Sequence, residues 1–320
     1  MAHTFIKDIS PGNTVDDIYL IKSPVLRSTT KGDLYIAMYL LDKSGQVNSR
    51  MWQATEETYK ALPQNGFVHI AGRSEQYQNN LQIIVNSISI VDSSKVTLED
   101  FLARTEKDTS KMFEELKAMV GKIKNRQLRM IAAEFFADEV LMEKFRQAPA
   151  GVKLHHNYLG GLLEHTHNMM RMAVAILGFF PKVQSDLVLA GILLHDLGKT
   201  QELSYDMALS YTDSGQLIGH ITKTLLMLHR KTDALARKGK VIDETVLDSL
   251  GHIILSHHGQ YEFGSPVLPA TAEAFMVNYL DDLDAKLNQV TGAVEQEKSD
   301  KNWTQWQNSL QRRLYRGRIE

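Results

Sequence analysis

Histidine is the residue type whose number and placement in this sequence best suit chemistry. The chain of 320 residues holds 12 histidines and no cysteine, and ten of the histidines fall from position 155 to position 258. Because imidazole nitrogens and aspartate oxygens bind divalent metals, and because thiolates are absent, we expect N/O ligation rather than thiolate zinc. The ten are His155, His156, His165, His167, His195, His220, His229, His252, His257 and His258.

The adjacent pair His195-Asp196 is the most informative part of this set. It follows an apolar run, and neighbouring side chains at a helix end point in different directions, so the pair can serve two ions or one ion from two sides. An aspartate bridges two cations through its two oxygens, and a second pair, His257-His258, adds nitrogen ligands for a second ion. Two metals about 3.5–4 Å apart are a standard device for in-line phosphoryl displacement, which predicts phosphoester hydrolysis.

Helices must carry these side chains to a common point, because the segments that hold them are far apart in sequence. After Val91 the apolar residues recur at helical spacing and almost nothing after residue 100 indicates a strand, which predicts an all-α C-terminal domain. A helical bundle can project ligands inward from several helices onto one centre. The predicted helices cover residues 112–120, 125–136, 162–179, 185–194, 217–235, 243–256 and 271–290.

The N-terminal part of the chain has the alternating pattern of β-strands. Short runs rich in β-branched and aromatic residues cover 17–22, 34–41, 47–52, 67–72 and 81–91, with a helical stretch over 56–62. Five strands with a helix after the third predict a small Greek-key barrel of the OB type, whereas the alternative, a generic β-sandwich, usually needs more strands. We therefore expect a multi-domain α and β protein, with an OB-fold β-barrel over 1–95 and an all-α domain over 96–320.

Five segments of the second domain occur in an order that matches a known family. His165, His195-Asp196 and Asp281 match the H…HD…D signature of the HD-domain phosphohydrolases. Segments 155–166, 191–199 and 256–266 are more narrowly similar to those of the YhaM-type 3′→5′ exoribonucleases, a family that also joins an N-terminal OB-fold to a C-terminal HD domain. The resemblance covers about residues 15 to 315.

The resemblance implies a ligand set for two metal ions. Four residues would be the core ligands, namely His165, His195, Asp196 and Asp281. The extra histidines of the dinuclear branch are matched by His220, His257 and His258, which would complete the binding site of a second ion. Which of His257 and His258 binds stays open. Asp282 and Asp284 are the alternatives to Asp281.

The same resemblance assigns roles in catalysis. His195 and Asp196 would act at the reaction centre through the metal. Lys199 matches the lysine of the family's HDxGK stretch and would contact a substrate phosphate as a point charge. An alternative for Lys199 is that it only favours a helix C-terminus. His156 is a weaker candidate for the phosphate contact or for protonation of the leaving group.

The implied reaction is that of a metal-dependent 3′-5′ exoribonuclease. Single-stranded RNA, and as a second candidate single-stranded DNA, would be hydrolysed from the 3′ end to nucleoside 5′-monophosphates. Two divalent ions are expected; the carboxylate and imidazole ligands favour Mn²⁺, with Mg²⁺, Fe²⁺ or Co²⁺ as alternatives. An alternative function is an HD-type nucleotide or cyclic-dinucleotide phosphohydrolase with a regulatory OB domain, and a third is a binding module without activity.

The predicted barrel carries aromatic and basic side chains that suit single strands. Residues 1–95 hold nine Lys and Arg and nine Asp and Glu, so stacking on aromatic rings would matter more than a strong electrostatic attraction. The candidates are Tyr35, Arg50, Trp52 and Tyr77, and alternation places Arg50 and Trp52 on one face of their strand. Whether Trp52 belongs to that binding face or to the barrel core stays open.

Composition narrows the remaining classes of protein. The net charge of −2 excludes a uniformly basic nucleic-acid binder. The sequence contains no run of eighteen apolar residues, so it does not predict a transmembrane helix. The first residues lack the apolar core of a signal peptide, so we expect a cytoplasmic protein without a membrane partner. A homo-oligomer is compatible with the sequence, which does not indicate one.

Overall fold

The computed structural model describes residues 3–78, 80–152, 155–205, 209–297 and 301–317, and it divides into two compact units. The first unit is Met1–Ala103 with Ser204–Leu209, and the second is Arg104–Leu203 with Ser210–Glu320. The predicted boundary after residue 95 lies shortly before this division. Within the described residues, every helix is too short or too polar to cross a membrane.

Five strands of the first unit form a closed barrel. β1 (Thr14–Ser28), β2 (Leu34–Asp42), β3 (Gly45–Trp52), β4 (Asn65–Tyr77) and β5 (Asn80–Val91) pair in the order β1-β2-β3-β5-β4. Helix α1 (Glu56–Ala61) follows β3, and β3 and β5 are the parallel pair that closes the barrel. Because this strand order and helix position are those of the OB-fold, the predicted barrel is confirmed.

Alternation along β2 decides which side chains fill the barrel. Ile36, Met38 and Leu40 are buried, so Tyr35, which alternates with them, faces the outside of the barrel. The register of β2 with β3 pairs Tyr35 with Trp52. The two aromatic side chains therefore share the outer surface of the barrel, and Trp52 does not belong to the core.

The second unit is built from ten helices among its described residues, which confirms the all-α prediction. Helix α6 is apolar on all sides and packs against α5, α10 and α11, as expected for a central helix. Side chains cap several N-termini, such as Asp108 before α2 and Thr271 before α11. The helices are α2 (Thr109–Val120), α3 (Arg126–Phe136), α4 (Glu139–Gln147), α5 (Gly161–Ile176), α6 (Ser185–Leu194), α7 (Lys199–Glu202), α8 (Asp213–Ile218), α9 (His220–Arg237), α10 (Glu244–Ser256) and α11 (Ala272–Gln296).

Two helical predictions differ from the structure. The helix predicted over 217–235 is present but begins at His220, three residues later than predicted, because the chain breaks at Gly219, whose φ of +74° places it in the left-handed region. Helix α4 was not predicted from the sequence. It is short, and it buries Leu141, Met142 and Phe145 behind the N-cap Asp138.

Candidate metal centre

Helix ends and helix faces bring the predicted ligands together. His195 is the C-cap of α6 and His257 is the C-cap of α10, while His220 is the first residue of α9. His165 lies in the second turn of α5 and Asp281 in the middle of α11. Among the described residues, three groups of side chains could hold a metal ion. The first group is His165, His195 and Asp281, and the second group is Asp196, His220, His257 and His258. A third group consists of His156, His165 and Asp284.

The first group has the spacing of ligands that share one ion. The His165 Nε2 atom lies 3.3 Å from His195 Nε2 and 3.1 Å from Asp281 Oδ1. The Asp196 Oδ2 atom lies 3.4 Å from His195 Nε2. Two ligands that are each bound at about 2.0–2.2 Å, at angles between square and tetrahedral, are about 3.0–3.5 Å apart. The three atoms of this group therefore fit around one cation, and Asp196 Oδ2, at 3.9 Å from His165 Nε2, lies at the edge of the group.

The second group includes Asp196, whose Oδ2 atom also borders the first group. The Asp196 Oδ1 atom lies 3.4 Å from His220 Nε2 and 3.6 Å from His257 Nε2. These three atoms are buried and have no hydrogen-bond partner within the described part of the chain. Buried polar atoms are normally paired, so three unpaired atoms that converge on one point fit a cation between them. His258 belongs to the same group.

Backbone carbonyls set the tautomer of three histidines. The Nδ1 atoms of His195, His257 and His258 lie 2.8 Å from Ile192 O, 2.7 Å from Ile254 O and 2.6 Å from Phe263 O, respectively. A carbonyl oxygen only accepts a hydrogen bond, so each Nδ1 donates. The lone pair of each neutral ring then lies on Nε2, the atom that faces the ligand group.

Carboxylates set the tautomer of the other two histidines. His165 Nδ1 lies 2.7 Å from Asp284 Oδ2, and His220 Nδ1 lies 3.0 Å from Glu202 Oε2. With their Nδ1 atoms as donors, His165 and His195 in the neutral state direct two Nε2 lone pairs at each other across 3.3 Å. Such a pair of lone pairs cannot form a hydrogen bond, whereas a cation between them binds both. The donor set thus fits a metal ion.

Charges in the centre also suit cation binding. Burial alone would raise the pKa of Asp196, but Lys199 and His195 hold it well below its usual range. Burial likewise opposes ionisation of Asp281, yet a hydrogen bond and the charge of His165 keep its pKa low. Burial lowers the pKa of His258 to about 3, so that ring is neutral at physiological pH. His165 differs: burial would lower its pKa, but hydrogen bonds to Asp281 and Asp284 raise it to about 9, so this ring must lose a proton before its Nε2 atom can bind a cation.

Lys199 and His156, the remaining predicted catalytic residues, both lie beside the ligands. The Lys199 ammonium is buried, and its Nζ lies 2.7 Å from Asp196 Oδ2. Both ring nitrogens of His156 have partners, with Nε2 2.7 Å from Asp284 Oδ2 and Nδ1 2.8 Å from Tyr158 OH. The predicted phosphate contact of His156 therefore lacks a free ring nitrogen in this arrangement and stays a prediction.

The alternatives to Asp281 have other surroundings. Asp282 is half-exposed and pairs with Lys286 at 2.7 Å, one turn along the same helix. Asp284 accepts hydrogen bonds from His156 and His165 at the back of the first group. Among the three aspartates, Asp281 is the one whose carboxylate oxygen approaches a free Nε2 atom.

Three residues of the site were missed as contributors from the sequence. Asp284 was considered only as a ligand, although its spacing of three from Asp281 indicates the same helix face. Glu202 carried no motif. His155 was not considered by itself; its ring centroid lies 6.0 Å from that of His165, and burial lowers its pKa to about 3. In contrast, His167 pairs with Glu115 outside the centre.

The four predicted nucleic-acid-binding residues lie together on the barrel. The Arg50 guanidinium is 5.1 Å from the ring centroid of Tyr77, 5.6 Å from that of Trp52 and 5.9 Å from that of Tyr35. The rings of Tyr35 and Trp52 are 4.9 Å apart, and Trp52 is 41% exposed. Arg50 and Tyr77 also line a groove that Arg27, Tyr39 and Asn48 continue.

Comparisons with known proteins identify a matching family and several relatives of this chain. The HD domain family matches residues 162–286. The chain is 32% identical over 288 residues to the 3′-5′ exoribonuclease YhaM of Bacillus subtilis (strain 168), with 90% of each chain covered. It is also 32% identical over 288 residues to the 3′-5′ exoribonuclease YhaM of Geobacillus sp. (strain WCH70), with 90% of this chain and 87% of the relative covered. Among solved structures, the second OB-fold domain of replication protein A from Methanococcus maripaludis is 18% identical, with a TM-score of 0.22, covering 28% of this chain and 94% of that chain.

Proposed function

The chain belongs to the YhaM family of 3′-5′ exoribonucleases, and from this premise we propose what each of its two domains does. The helical domain, residues 96–320, removes nucleotides from the 3′ end of single-stranded RNA and releases nucleoside 5′-monophosphates with two divalent ions bound. The OB-fold domain, residues 1–95, binds the single strand. Single-stranded DNA is a second substrate of the same site.

The observation that carries the two-ion proposal is the position of Asp196 between the two ligand groups. Its Oδ2 atom lies 3.4 Å from His195 Nε2, and its Oδ1 atom lies 3.4 Å from His220 Nε2. A carboxylate with imidazoles on both sides would hold an ion with each of its oxygens, and two such ions would supply the charge neutralisation that phosphoester hydrolysis needs. Mn²⁺ is favoured, because all the proposed ligands are carboxylates or imidazoles. Mg²⁺, Fe²⁺ and Co²⁺ also bind some of these donor types and are the alternatives.

The protein's own groups prepare the centre for a phosphodiester. When bound, the ions would neutralise phosphate charge and lower the pKa of a water molecule. Helix ends hold His195 and His257 with their Nε2 atoms toward the centre. The Lys199 ammonium, next to Asp196, adds a positive charge where a phosphate would lie.

The barrel surface around Arg50 supports single-strand binding by the first domain. Three aromatic rings surround its guanidinium within 5.9 Å, and Trp52 and Tyr77 are each more than two-fifths exposed. Exposed rings offer stacking platforms to bases of any sequence, and the arginine adds a charge for the backbone. Such a surface suits an enzyme that degrades RNA without strong sequence preference.

The combined substitution His195→Ala and Asp196→Ala tests the proposal. Hydrolysis of a 3′-labelled single-stranded RNA with Mn²⁺ should be lost, because both ligand groups lose a member, while the RNA affinity of the full chain should persist. Metal analysis should show two Mn²⁺ per wild-type chain and fewer in the variant. His229→Ala, which changes an exposed histidine outside the centre, should leave rate, affinity and metal content unchanged.

Two results would contradict the proposal. A wild-type protein that leaves RNA with a 3′-hydroxyl intact in the presence of Mn²⁺ would remove the exoribonuclease assignment. Faster hydrolysis of free nucleotides than of oligomers would instead select the nucleotide phosphohydrolase. Chromatography of the labelled products decides the direction, because hydrolysis from the 3′ end releases the 3′ label at once as a mononucleotide, whereas hydrolysis from the 5′ end leaves the label on a shortening oligomer.

A further inference from the structure

Asp284 lies in a buried cluster directly behind the first ligand group. Its Oδ2 atom lies 2.7 Å from His165 Nδ1 and 2.7 Å from His156 Nε2, and its Oδ1 atom accepts a hydrogen bond of 2.9 Å from Asn168 Nδ2. His165 is the only member that the cluster shares with the two ligand groups of the described centre. The cluster thus joins a metal-facing ring to side chains that do not reach the metal.

Distances separate Asp284 from the ligands. The contacts within the two ligand groups measure 3.1–3.6 Å, which suits atoms bound to one ion. Both contacts of Asp284 Oδ2 measure 2.7 Å, which is a charge-assisted hydrogen bond and too short for two ligands of a shared cation. Asp284 therefore already uses its acceptor positions within the protein.

We propose that Asp284 is a positioning residue, which holds the His165 ring in the Nδ1–H tautomer so that Nε2 binds the metal. The proposal rests on the metal centre of the proposed function. A carboxylate behind a histidine ligand fixes the ring orientation and makes the ring a stronger ligand. His165 has particular need of such a partner, because its position inside α5 leaves it no free helix-end carbonyl.

Asp284 is itself held in place by a second layer of hydrogen bonds. Two hydrogen bonds hold His156, its other partner. The Nδ1 atom of His156 lies 2.8 Å from Tyr158 OH, and its backbone N–H donates to Asn288 Oδ1 at 2.8 Å. The Tyr158 hydroxyl donates to Glu164 at 3.2 Å. His156 also keeps a left-handed φ of +44°, which a non-glycine residue adopts only where its surroundings determine it.

The variant Asp284→Asn tests the proposal on the full chain after metal removal, by titration with Mn²⁺. The neutral amide removes the negative charge that strengthens both imidazole hydrogen bonds at Oδ2, so His165 is held less firmly and becomes a weaker ligand. We expect Mn²⁺ binding about 10–100-fold weaker, with the same number of ions bound at saturation. Asp282→Asn, which changes the half-exposed neighbour paired with Lys286, is the matched control and should bind Mn²⁺ as the wild type does.

Comparison with Asp281→Asn distinguishes a positioning residue from a ligand. Asp281→Asn removes a ligand and should therefore reduce the number of Mn²⁺ ions per chain. A high Mn²⁺ concentration should restore RNA hydrolysis in Asp284→Asn but not in Asp281→Asn. Asn168→Ala, a milder change that leaves the carboxylate in place, should give an affinity between those of the wild type and Asp284→Asn. Asn168→Ala provides the test of the proposal if the Asp284→Asn variant does not fold.

Three outcomes overturn the inference. Asp284→Asn with wild-type Mn²⁺ affinity would show that the cluster only supports the fold, and Asn168→Ala with wild-type affinity would show the same. Fewer ions at saturation in Asp284→Asn would make Asp284 a ligand. If the wild-type chain itself bound no Mn²⁺, the proposed metal centre would fail instead, which is a distinct result.

Discussion

Gly198 lies beside Asp196 and His220 of the second ligand group, and its replacement by alanine is a sharp test of the centre. It follows Asp196 by two residues, and its backbone N–H donates to Thr224 Oγ1 at 2.8 Å. A Cβ atom added at Gly198 would lie 2.1 Å from the backbone oxygen of His220 and 2.8 Å from its carbonyl carbon. The backbone that carries Asp196 is therefore in close contact with the backbone that carries His220.

The size of the effect follows from this distance. Real Cβ atoms essentially never approach another heavy atom within 3.0 Å, so the 2.1 Å contact requires a separation of about 1 Å between the two backbones. Metal–ligand bonds tolerate only about 0.2 Å of misplacement, so Asp196 and His220 cannot both keep the same ion. We expect Gly198→Ala to lower hydrolysis by about 10²-fold, which is typical of a 1 Å error at a reaction centre.

The assay combines metal content with the hydrolysis rate. Gly198→Ala should bind one Mn²⁺ fewer per chain than the wild type and should degrade 3′-labelled RNA slowly even at high Mn²⁺. Gly178→Ala is the control, because a Cβ there would meet nothing within 4 Å and the backbone has no positive φ. If Gly198→Ala kept the wild-type metal content and rate, the close approach of α9 to Asp196 would not matter for the centre.

The remaining predictions concern the barrel and helix α4. Trp52→Ala should weaken binding of single-stranded RNA by about 1–3 kcal/mol in fluorescence titrations, because it removes an exposed stacking ring; unchanged affinity would rule out that stacking role. Asp138→Ala should lower the free energy of unfolding by about 1 kcal/mol at pH 7, because Asp138 caps α4 and pairs with Lys231 at 2.7 Å. The hydrogen bond to Lys231 lowers the pKa of Asp138, so its contribution is present above about pH 4 and should shrink in urea titrations as the pH falls further; equal differences at pH 7 and pH 3 would contradict this.

Much of the architecture could be predicted because local patterns determine it. Alternation in the barrel strands and helical spacing beyond residue 100 do not depend on distant residues. The structure brings the seven predicted ligands into two groups, although Asp196, which the resemblance implies as a core ligand, falls with the extra histidines. His195 and His257 could be predicted in this way because each directly follows an apolar run at the end of a helix.

Other features depend on contacts that a linear pattern does not contain. Alternation shows that Tyr35 and Ile36 face opposite sides but not which side is the core, and the closure of β3 on β5 decides that. Gly219 interrupts an otherwise continuous helical pattern, because its positive φ is a property of the fold around it. The difference between Asp281 and Asp284 is likewise one of distance, since both lie on the same face of α11.

The place of each histidine in its helix explains which of them need a carboxylate partner. His195 and His257 end their helices, where carbonyls three residues earlier have no intrahelical N–H and accept the Nδ1–H instead. His220 begins a helix, where free N–H groups but no free carbonyls are present, and Glu202 accepts from both its backbone and its ring. His165 lies inside a helix and depends on Asp284. In this centre, the two predicted histidine ligands that lie away from a helix C-terminus, His165 and His220, therefore each use one further acid, which motifs confined to the ligands do not reveal.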